Sequence, residues 1–426
     1  MSSTQSHACI KTDGPAQAMN KTIWYVTKYF SPRTASSPGG RGWFLVDEMQ
    51  RAGYQVVVIS SDSNNLVDLP VLKNRVTLQD IDGVKIVWLK TMKYSVAKSL
   101  RRILSWFHFE WNLFWLDKSR LPRPDVVIIS SLSLLTVING LLMRLKYKSR
   151  LVFEVRDIWP LTIVEEGGFS NRNLFVRGLG WLERLAYRKS DAIVGTMPNL
   201  SAHVRSVLGF GRPVFCVPMG VSQEHLSDVA DLPVDYVERY LSSNKFKVVH
   251  AGTIGITNAL DVFFAAAQAM REHADIEFII VGDGALKQSY EKRYGDLPNL
   301  VFAPKVPRNM VQEVLAKGDL LYFSVHDSKV WDYGQSLNKV IDYMLAAKPI
   351  VASYNGYPSM INESGCGVFV PAKDVDAVVA AILDLKSKGE EERSQMGSRG
   401  REWLLQNRDY SKLANDYLSI LFPGDA

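Results

Sequence analysis

Cysteine is nearly absent: Cys9, Cys216 and Cys366 are the three in 426 residues, and no two stand in a Cys-x-x-Cys spacing. An odd, scattered set excludes a disulfide framework and a thiolate zinc site, and it fits a reducing cytoplasm. No apolar run reaches the roughly 18 residues that a membrane-crossing helix needs. Residues 1–20 lack the basic-then-apolar order of a secretory leader and read as a flexible tail. The seven histidines show neither His-Glu-x-x-His nor His-x-His spacing, so no metal site is expected. Two Asp-x-Asp strings, Asp80–Asp82 and Asp374–Asp376, fall at loop and helix edges rather than at a ligand crevice. No Gly-x-Gly-x-x-Gly follows the first strand, which argues against a dinucleotide redox fold.

What is present is globular. Hydrophobic residues at 47% and charged residues at 22% are the composition of a folded chain. The charge is uneven: residues 1–230 hold 29 Lys and Arg against 18 Asp and Glu, and residues 231–426 hold 21 against 26. A basic half attracts anionic lipid, phosphorylated substrate or nucleic acid, and charge alone does not choose among them. No recognised nucleic-acid module accompanies it, so a nucleic-acid partner is not expected.

The segment Lys21–Phe30 is β-branched and aromatic without a breaker, the mark of a buried strand. A loop rich in Pro, Ser and Gly follows, then helical apolar spacing over Trp43–Ala52, then the apolar run Tyr54–Ser60. This is a βαβ unit, and its continuous apolar strands suit a parallel sheet covered on both faces. The alternation continues through strands at Val84–Leu89, Asp125–Ser130, Leu151–Val155, Ala192–Thr196 and Val214–Val217. A second series begins at Lys247–Ala251 and runs through Glu277–Val281, Leu300–Pro304, Leu320–Ser324 and Pro349–Ser353. The fold class expected is α/β, with two Rossmann-like doubly wound domains at 21–222 and 246–405 and a polar linker at 223–245.

Ligands of open α/β sheets lie at the carboxyl ends of the strands, so the loops there hold the candidates. Gly39, Gly40 and Arg41 stand where the first strand hands over to the first helix. Glycines admit phosphate oxygens to backbone N–H groups, and an arginine adds a charge-assisted bond. A tight turn with a surface arginine is the plain alternative. Arg156 and Asp157, in the string Glu154–Pro160, follow another strand, where two adjacent charges in a cleft tune each other's ionisation. A structural pair buttressed by Trp159 is the alternative. Glu165 and Glu166 read equally as acceptor contacts or as solvated loop charges. In the second half Gly252-Thr253 and Gly282-Asp283-Gly284 are tight turns at strand ends. Ser336, Asn338 and Lys339 mark a helix start suited to a diphosphate, with Asp342 one turn further on.

The stretch 90–123 combines Lys98, Arg101 and Arg102 with Phe107, Trp111 and other large apolar side chains. On a helix, Leu100, Ile103, Leu104, Phe107, Trp111 and Phe114 form one stripe. Basic charge beside interfacial aromatics is the pattern of a helix lying on an anionic membrane, and a core helix with solvated cations is the bland reading.

Taken in order over residues 22–421, these strings resemble glycosyltransferase family 4. More narrowly, they are similar to the bacterial O-antigen L-fucosamine (N-acetyl-L-fucosamine) transferases. The landmarks are Tyr29-Phe30-Ser31-Pro32 with Gly39-Gly40-Arg41, Gly53-Tyr54-Gln55-Val56, Glu154–Pro160, Val281–Gly284, Ser336–Lys339 running into Asp342–Pro349, and Glu363–Val368. The resemblance implies a GT-B fold, with an acceptor-side first domain, a nucleotide-sugar-binding second domain and a terminal helix (406–426) folded back on the first. It implies that Asp157 touches the donor sugar or works as acid and base, and that Asp342 accepts from the ribose. It further implies retaining transfer of N-acetyl-L-fucosamine from its UDP donor to a polyprenyl-diphosphate-linked saccharide in O-antigen or capsule assembly. Such an enzyme is cytoplasmic, peripheral to the inner membrane, and needs no metal or other cofactor.

Two positions depart from the family pattern. Its first motif glutamate falls on Gly334, and Thr253 and Asn258 stand where many relatives carry Arg and Lys. Phosphate charge then rests on Lys339, Arg41 and Lys329. A GT-B UDP-sugar 2-epimerase or hydrolase and a non-catalytic scaffold are the alternatives.

Overall fold

The computed structural model describes residues 21–34, 39–64, 69–94, 99–131 and 133–424. The expected tail at 1–20 and Lys98 lie outside these residues. Among the described residues, eight strands form one sheet and six form another.

The first sheet comprises β1 (Thr22–Thr27), β2 (Gln55–Ser61), β3 (Val76–Ile81), β4 (Val84–Leu89), β5 (Val126–Ser131), β6 (Arg150–Val155), β7 (Ala192–Gly195) and β8 (Val214–Cys216). Its order is β3-β4-β2-β1-β5-β6-β7-β8, parallel except that β3 pairs antiparallel with β4. Asp82 and Gly83 turn that hairpin with φ of 51° and 84°, and Asp80 Oδ1 accepts from the Gly83 N–H at 3.0 Å. An Asp-Gly pair is what a two-residue hairpin turn requires. The first Asp-x-Asp string is therefore turn chemistry. In the second, Asp374 caps the helix Val375–Ser387 by accepting from the Ala377 N–H at 2.9 Å.

Alternate residues of β1 feed two cores. Ile23 and Tyr25 face the helix Arg41–Arg51 and the terminal helix Tyr410–Leu421. Trp24 and Val26 face the helices Leu100–Phe114, Thr136–Tyr147 and Leu174–Lys189. Burial on both faces is why β1 reads as an unbroken apolar run. The terminal helix is fixed by aromatic stacking, with Tyr410 on Phe44 at 4.9 Å and Phe422 on Tyr54 at 5.2 Å between ring centres.

Residues 223–245 contain two short helices, Gln223–Ser227 and Val234–Tyr240. The second sheet follows: β9 (Phe246–Ala251), β10 (Ile276–Val281), β11 (Leu300–Ala303), β12 (Leu320–Ser324), β13 (Ile350–Ser353) and β14 (Gly367–Val370), in the order β11-β10-β9-β12-β13-β14. All its pairings are parallel.

One buried ion pair joins the layers of the first domain. Arg41, wholly buried, donates to Glu154 Oε2 at 2.8 Å and to the carbonyls of Val217 at 2.6 Å and Pro218 at 3.2 Å. Glu154 Oε1 also accepts from Tyr25 at 2.8 Å and Ser130 at 2.7 Å. Burial pushes the Glu154 carboxyl up, but Arg41 and Arg156 pull it below its ordinary value. A depressed carboxylate adds stability above its ordinary pKa, and that stability is lost as acid protonates it. Removing one partner of such a pair strands the other charge, at a cost of about 3–5 kcal/mol. Arg41→Met is therefore expected to lower stability by that order in urea unfolding followed by circular dichroism. The double variant Arg41→Met/Glu154→Gln should recover part of the loss; equal losses would show that the charges are not what matters.

Candidate active site

A cavity of about 960 Å³ opens at the carboxyl ends of β9, β10 and β11 and is closed by the start of the helix Asn338–Leu345. Gly252, Thr253, Gly282, Asp283, Gly284, Asn338, Lys339 and Asp342 all line it. The glycines are there for closeness. A Cβ on Gly282 would stand 1.9 Å from the Gly252 carbonyl oxygen, and one on Gly284 would stand 2.3 Å from that of Ile254. The Ile254 N–H donates to the Asp283 carbonyl at 2.9 Å, so the two turns form one floor. The Asp283 carboxylate accepts from the Gly284 N–H at 2.8 Å and lies 3.9 Å from Lys305.

Tyr343 seats the helix. Its hydroxyl accepts from the Ala251 N–H at 3.0 Å and lies 3.2 Å from the Tyr322 carbonyl, tying the helix to β9 and β12. Lys339 then sits one turn away, bonded to the Asn258 side chain. Burial pulls its ammonium down to about 8, and His250 beneath is held neutral, pushed down to about 3 by burial and then by Lys339.

Sequence reasoning missed Lys305 and Arg308, which line the same cavity from the loop after β11. Arg308 forks onto Asp342, Nη1 to Oδ2 at 2.5 Å and Nη2 to Oδ1 at 2.6 Å. The available signal was position: Pro304–Arg308 follows a strand of the second sheet at its carboxyl end.

Other expected residues lie elsewhere. Arg41 does not reach the cavity, because Glu154 and two carbonyls hold its guanidinium inside the first domain. The expected diphosphate contact at Arg41 is corrected on that ground. Gly39 and Gly40 do precede a helix start, and the Gly40 N–H is bonded back to the Ser31 carbonyl at 3.0 Å. Lys329 is exposed and does not line the cavity. Ser336 is a domain contact, its hydroxyl accepting from the Met219 N–H at 2.8 Å.

Arg156 and Asp157 do not pair. Asp157 accepts instead from Trp159 Nε1 at 2.7 Å and Thr162 Oγ1 at 2.6 Å. Trp159 meets Trp106 edge to face at 5.1 Å, and Trp106 Nε1 donates to the Tyr29 hydroxyl at 2.9 Å. The Asp157 loop is thus propped by the helix Leu100–Phe114. Glu165 ends the short helix Leu161–Glu165, which packs against Lys329–Tyr333 of the second domain. The Glu166 carboxyl is raised by burial and by Asp157.

The interface between domains explains the missing glutamate. The Asn199 N–H donates to the Tyr333 carbonyl, and Asn199 Nδ2 to that of Asp332, both at 3.0 Å. Gly334, with φ of 96°, is pressed so close that a Cβ would stand 2.5 Å from the Pro198 ring. No larger residue fits there.

Residues 44–220 match the family model "Glycosyl transferase 4-like domain", and residues 245–388 match "Glycosyl transferases group 1". The chain is similar to a "Probable glycosyltransferase WbjE" of Pseudomonas aeruginosa, 23% identical over 322 residues that cover 72% of this chain and 78% of that protein. Solved structures of the same shape include an Escherichia coli trehalose-6-phosphate protein bound with UDP-2-fluoro glucose (TM-score 0.70, 13% identity, covering 94% and 99% of the two chains). A sucrose-phosphate synthase from Thermosynechococcus elongatus matches at TM-score 0.68 and 13% identity over 94% and 98% of the chains. Anabaena HepE in complex with UDP matches at 0.59 and 14% over 94% and 99%. The protein is a glycosyltransferase with the two-domain GT-B architecture.

Lys339 stands in the first turn of the helix that closes the cavity, and burial pulls its ammonium down to about 8, so its charge is lost more readily than an ordinary lysine's as pH rises. The affinity for UDP, followed by isothermal calorimetry, is expected to fall as pH rises through about 8. Lys339→Arg should flatten that fall, and Lys339→Met should weaken binding about tenfold or more at pH 7, a loss typical of one charge-assisted bond.

Proposed function

We propose that this protein is a UDP-sugar-dependent retaining glycosyltransferase. Its reaction moves N-acetyl-L-fucosamine from UDP onto a polyprenyl-diphosphate-linked saccharide in O-antigen or capsule assembly. The second-domain cavity carries the reading: glycine turns allow close approach, a helix start bears Lys339, and Asp342 stands one turn on. The UDP ligands named for the E. coli and Anabaena neighbours support UDP as the carrier. The sugar assignment is supported by the Glu154–Pro160 and Ser336–Pro349 landmarks.

Asp342 takes the ribose hydroxyls with the lone pairs that Arg308 leaves open, since a carboxylate offers about four acceptor sites. Lys339 and the free N–H groups of its helix start stabilise the charge that develops on the leaving diphosphate. The diphosphate in turn takes the proton of the acceptor hydroxyl. No metal is needed in this scheme. Asp157, fixed by Trp159 and Thr162, contacts the donor sugar together with Arg156. Glu165 and Glu166 lie on the acceptor side. Positioning within a closing cleft supplies most of the rate.

The acceptor lipid stays in the bilayer, so the enzyme docks there from the cytoplasmic side. The helix Leu100–Phe114 supports this, because Leu100, Leu104, Phe107, Trp111 and Phe114 are all exposed. Its buried side is a different set, Trp106, Phe109 and Leu113, so the apolar stripe is no core face. No helix among the described residues is long and apolar enough to cross a membrane.

Thermal stabilisation by a panel of UDP-, GDP- and dTDP-sugars tests the donor. A shift confined to UDP and UDP-N-acetyl-L-fucosamine is expected; a shift with another sugar would discard the fucosamine assignment, and none with any would discard the transferase. The Arg308 fork adds a finer test. A site built to bond a hydroxyl rejects the analogue that lacks it. UDP should bind at least about tenfold more tightly than 2′-deoxy-UDP. Arg308→Lys, which breaks the fork, should shrink that ratio while leaving the deoxy affinity nearly unchanged.

A further inference from the structure

Glu110 and Glu183 are the only acidic residues in the three helices that cover one face of the first sheet: Leu100–Phe114, Thr136–Tyr147 and Leu174–Lys189. Both turn inward. Glu110 accepts from Thr136 at 2.6 Å and Asn139 at 2.8 Å, and Glu183 pairs with His203 at 2.6 Å. The outward faces of all three helices are thereby left without a carboxylate.

Those faces carry large apolar side chains and cations instead. Trp111 is 62% exposed on the first helix, Leu145 77% on the second, and Leu174 and Trp181 80% and 62% on the third. On the third helix, Leu174, Arg177, Trp181, Arg184 and Arg188 recur at spacings of three and four, which makes a second basic and aromatic stripe. Trp181, Arg184, Leu185, Arg188 and Lys189 line a surface cavity of about 380 Å³ with no acidic residue in its wall. The cations stand at the helix's carboxyl end, where its dipole favours them.

The three helices form one surface. Glu110 bonds the first to the second, and Arg144 of the second donates to the Lys189 carbonyl and to Asp191, both at 2.6 Å. Beneath them Phe109, Leu113, Met143, Leu179 and Leu182 share one core. Helices that connect parallel strands run back against them, so the starts of these helices lie at the cleft edge of the sheet.

We propose that this whole three-helix face docks on an anionic bilayer, and that the cavity beside Trp181 seats the phosphate of one anionic lipid. The inference rests on the membrane part of the proposed function and extends it from one helix to three. Charge selects the occupant: helices that carry cations and no outward carboxylate, with Asp191 between them paired to Arg144, repel a second copy of themselves and attract an anionic surface. Exposed leucines bury into acyl chains but do not stack on bases, which sets nucleic acid aside. Docked in this way, the first sheet lies flat along the bilayer and the mouth of the cleft opens at headgroup height, within reach of a lipid-linked sugar.

The test is co-sedimentation of the full chain with vesicles of phosphatidylcholine, alone or mixed with phosphatidylglycerol. Three surface variants are compared: Trp111→Glu, Leu142→Glu/Leu145→Glu and Arg184→Glu/Arg188→Glu. Thermal stabilisation by UDP serves as the check that each still folds and keeps its nucleotide site. The wild type is expected to pellet with the mixed vesicles only. Each of the second and third variants should lose about tenfold or more in vesicle affinity with Trp111 untouched, the second by losing apolar insertion and adding repelled carboxylates, the third by losing two basic residues worth about 1 kcal/mol each near an anionic surface. Wild-type binding by both of these variants, with loss in Trp111→Glu alone, would return docking to the single helix and overturn the inference. No vesicle binding by a wild type that still binds UDP would overturn the membrane reading and this inference together, and leave the glycosyltransferase standing. A dimer that dissolves in Leu142→Glu/Leu145→Glu, without vesicle binding, would make the face a contact between copies and likewise overturn it.

Discussion

The bond between Arg41 and Glu154 is the constraint on which the first domain is arranged. It joins the first helix to β6, and through Tyr25 and Ser130 it reaches β1 and β5. The same guanidinium holds the carbonyls of Val217 and Pro218, where the chain leaves the first sheet for the second domain. Tyr417 of the terminal helix is buried beside Glu154, and burial and that carboxylate together push its hydroxyl well above its ordinary value. A charge pair out of water tolerates little movement, because any gap exposes each ion to the full cost of its burial. The segments that meet there are the ones on which the cleft is built, so the pair forms a rigid floor beneath loops that carry chemistry. Its residues lie in a glycine-rich turn and a loop-bordering strand, and they resemble ligand contacts until their burial is seen.

Charge in the rest of the molecule is sorted by layer. Three glutamates of the first domain are spent inside, Glu154 on Arg41, Glu110 on Thr136 and Asn139, and Glu183 on His203, and the last two leave the outside of one helical layer positive. In the second domain the reverse holds around the cavity, where Lys339 and Arg308 face inward and meet Asn258 and Asp342. Part of the basic excess seen in residues 1–230 is thus gathered on the outside of that helical layer.

Much of this was legible in advance. The strands are apolar on both faces, so β12 falls where the pattern of apolar residues puts it, at Leu320–Ser324 to the residue. The hairpin β3 was not recognised, although Asp82-Gly83 signals its turn, because β3 has no fully buried residue and its residues alternate weakly. The long helix Glu390–Asn407 was also overlooked. It buries little besides Met396, Gly397, Gly400 and Leu404, two of them glycines, against which the Ala347 backbone and the Cys366 side chain pack where an apolar side chain would have marked the face. At the site, residues whose task is steric were read correctly as turns. Long flexible cations were harder: Arg41 turned inward and Arg308 turned into the cavity, and nothing in their immediate neighbours along the chain distinguishes the two. That choice is made by partners more than 30 positions away, Glu154 and Asp342.

Gly334 carries a consequence for how this enzyme can change. A side chain at that position would meet Pro198 across the domain boundary, and its backbone conformation is one that glycine adopts without strain. A carboxylate therefore cannot be placed at position 334 by a single replacement. Pro198 would have to shrink or the two domains would have to part, and either change would disturb the bonds from Asn199 to residues 332 and 333. Position 334 is closed to a side chain by its own neighbourhood, so any change that improves a sugar contact is expected elsewhere in the cleft.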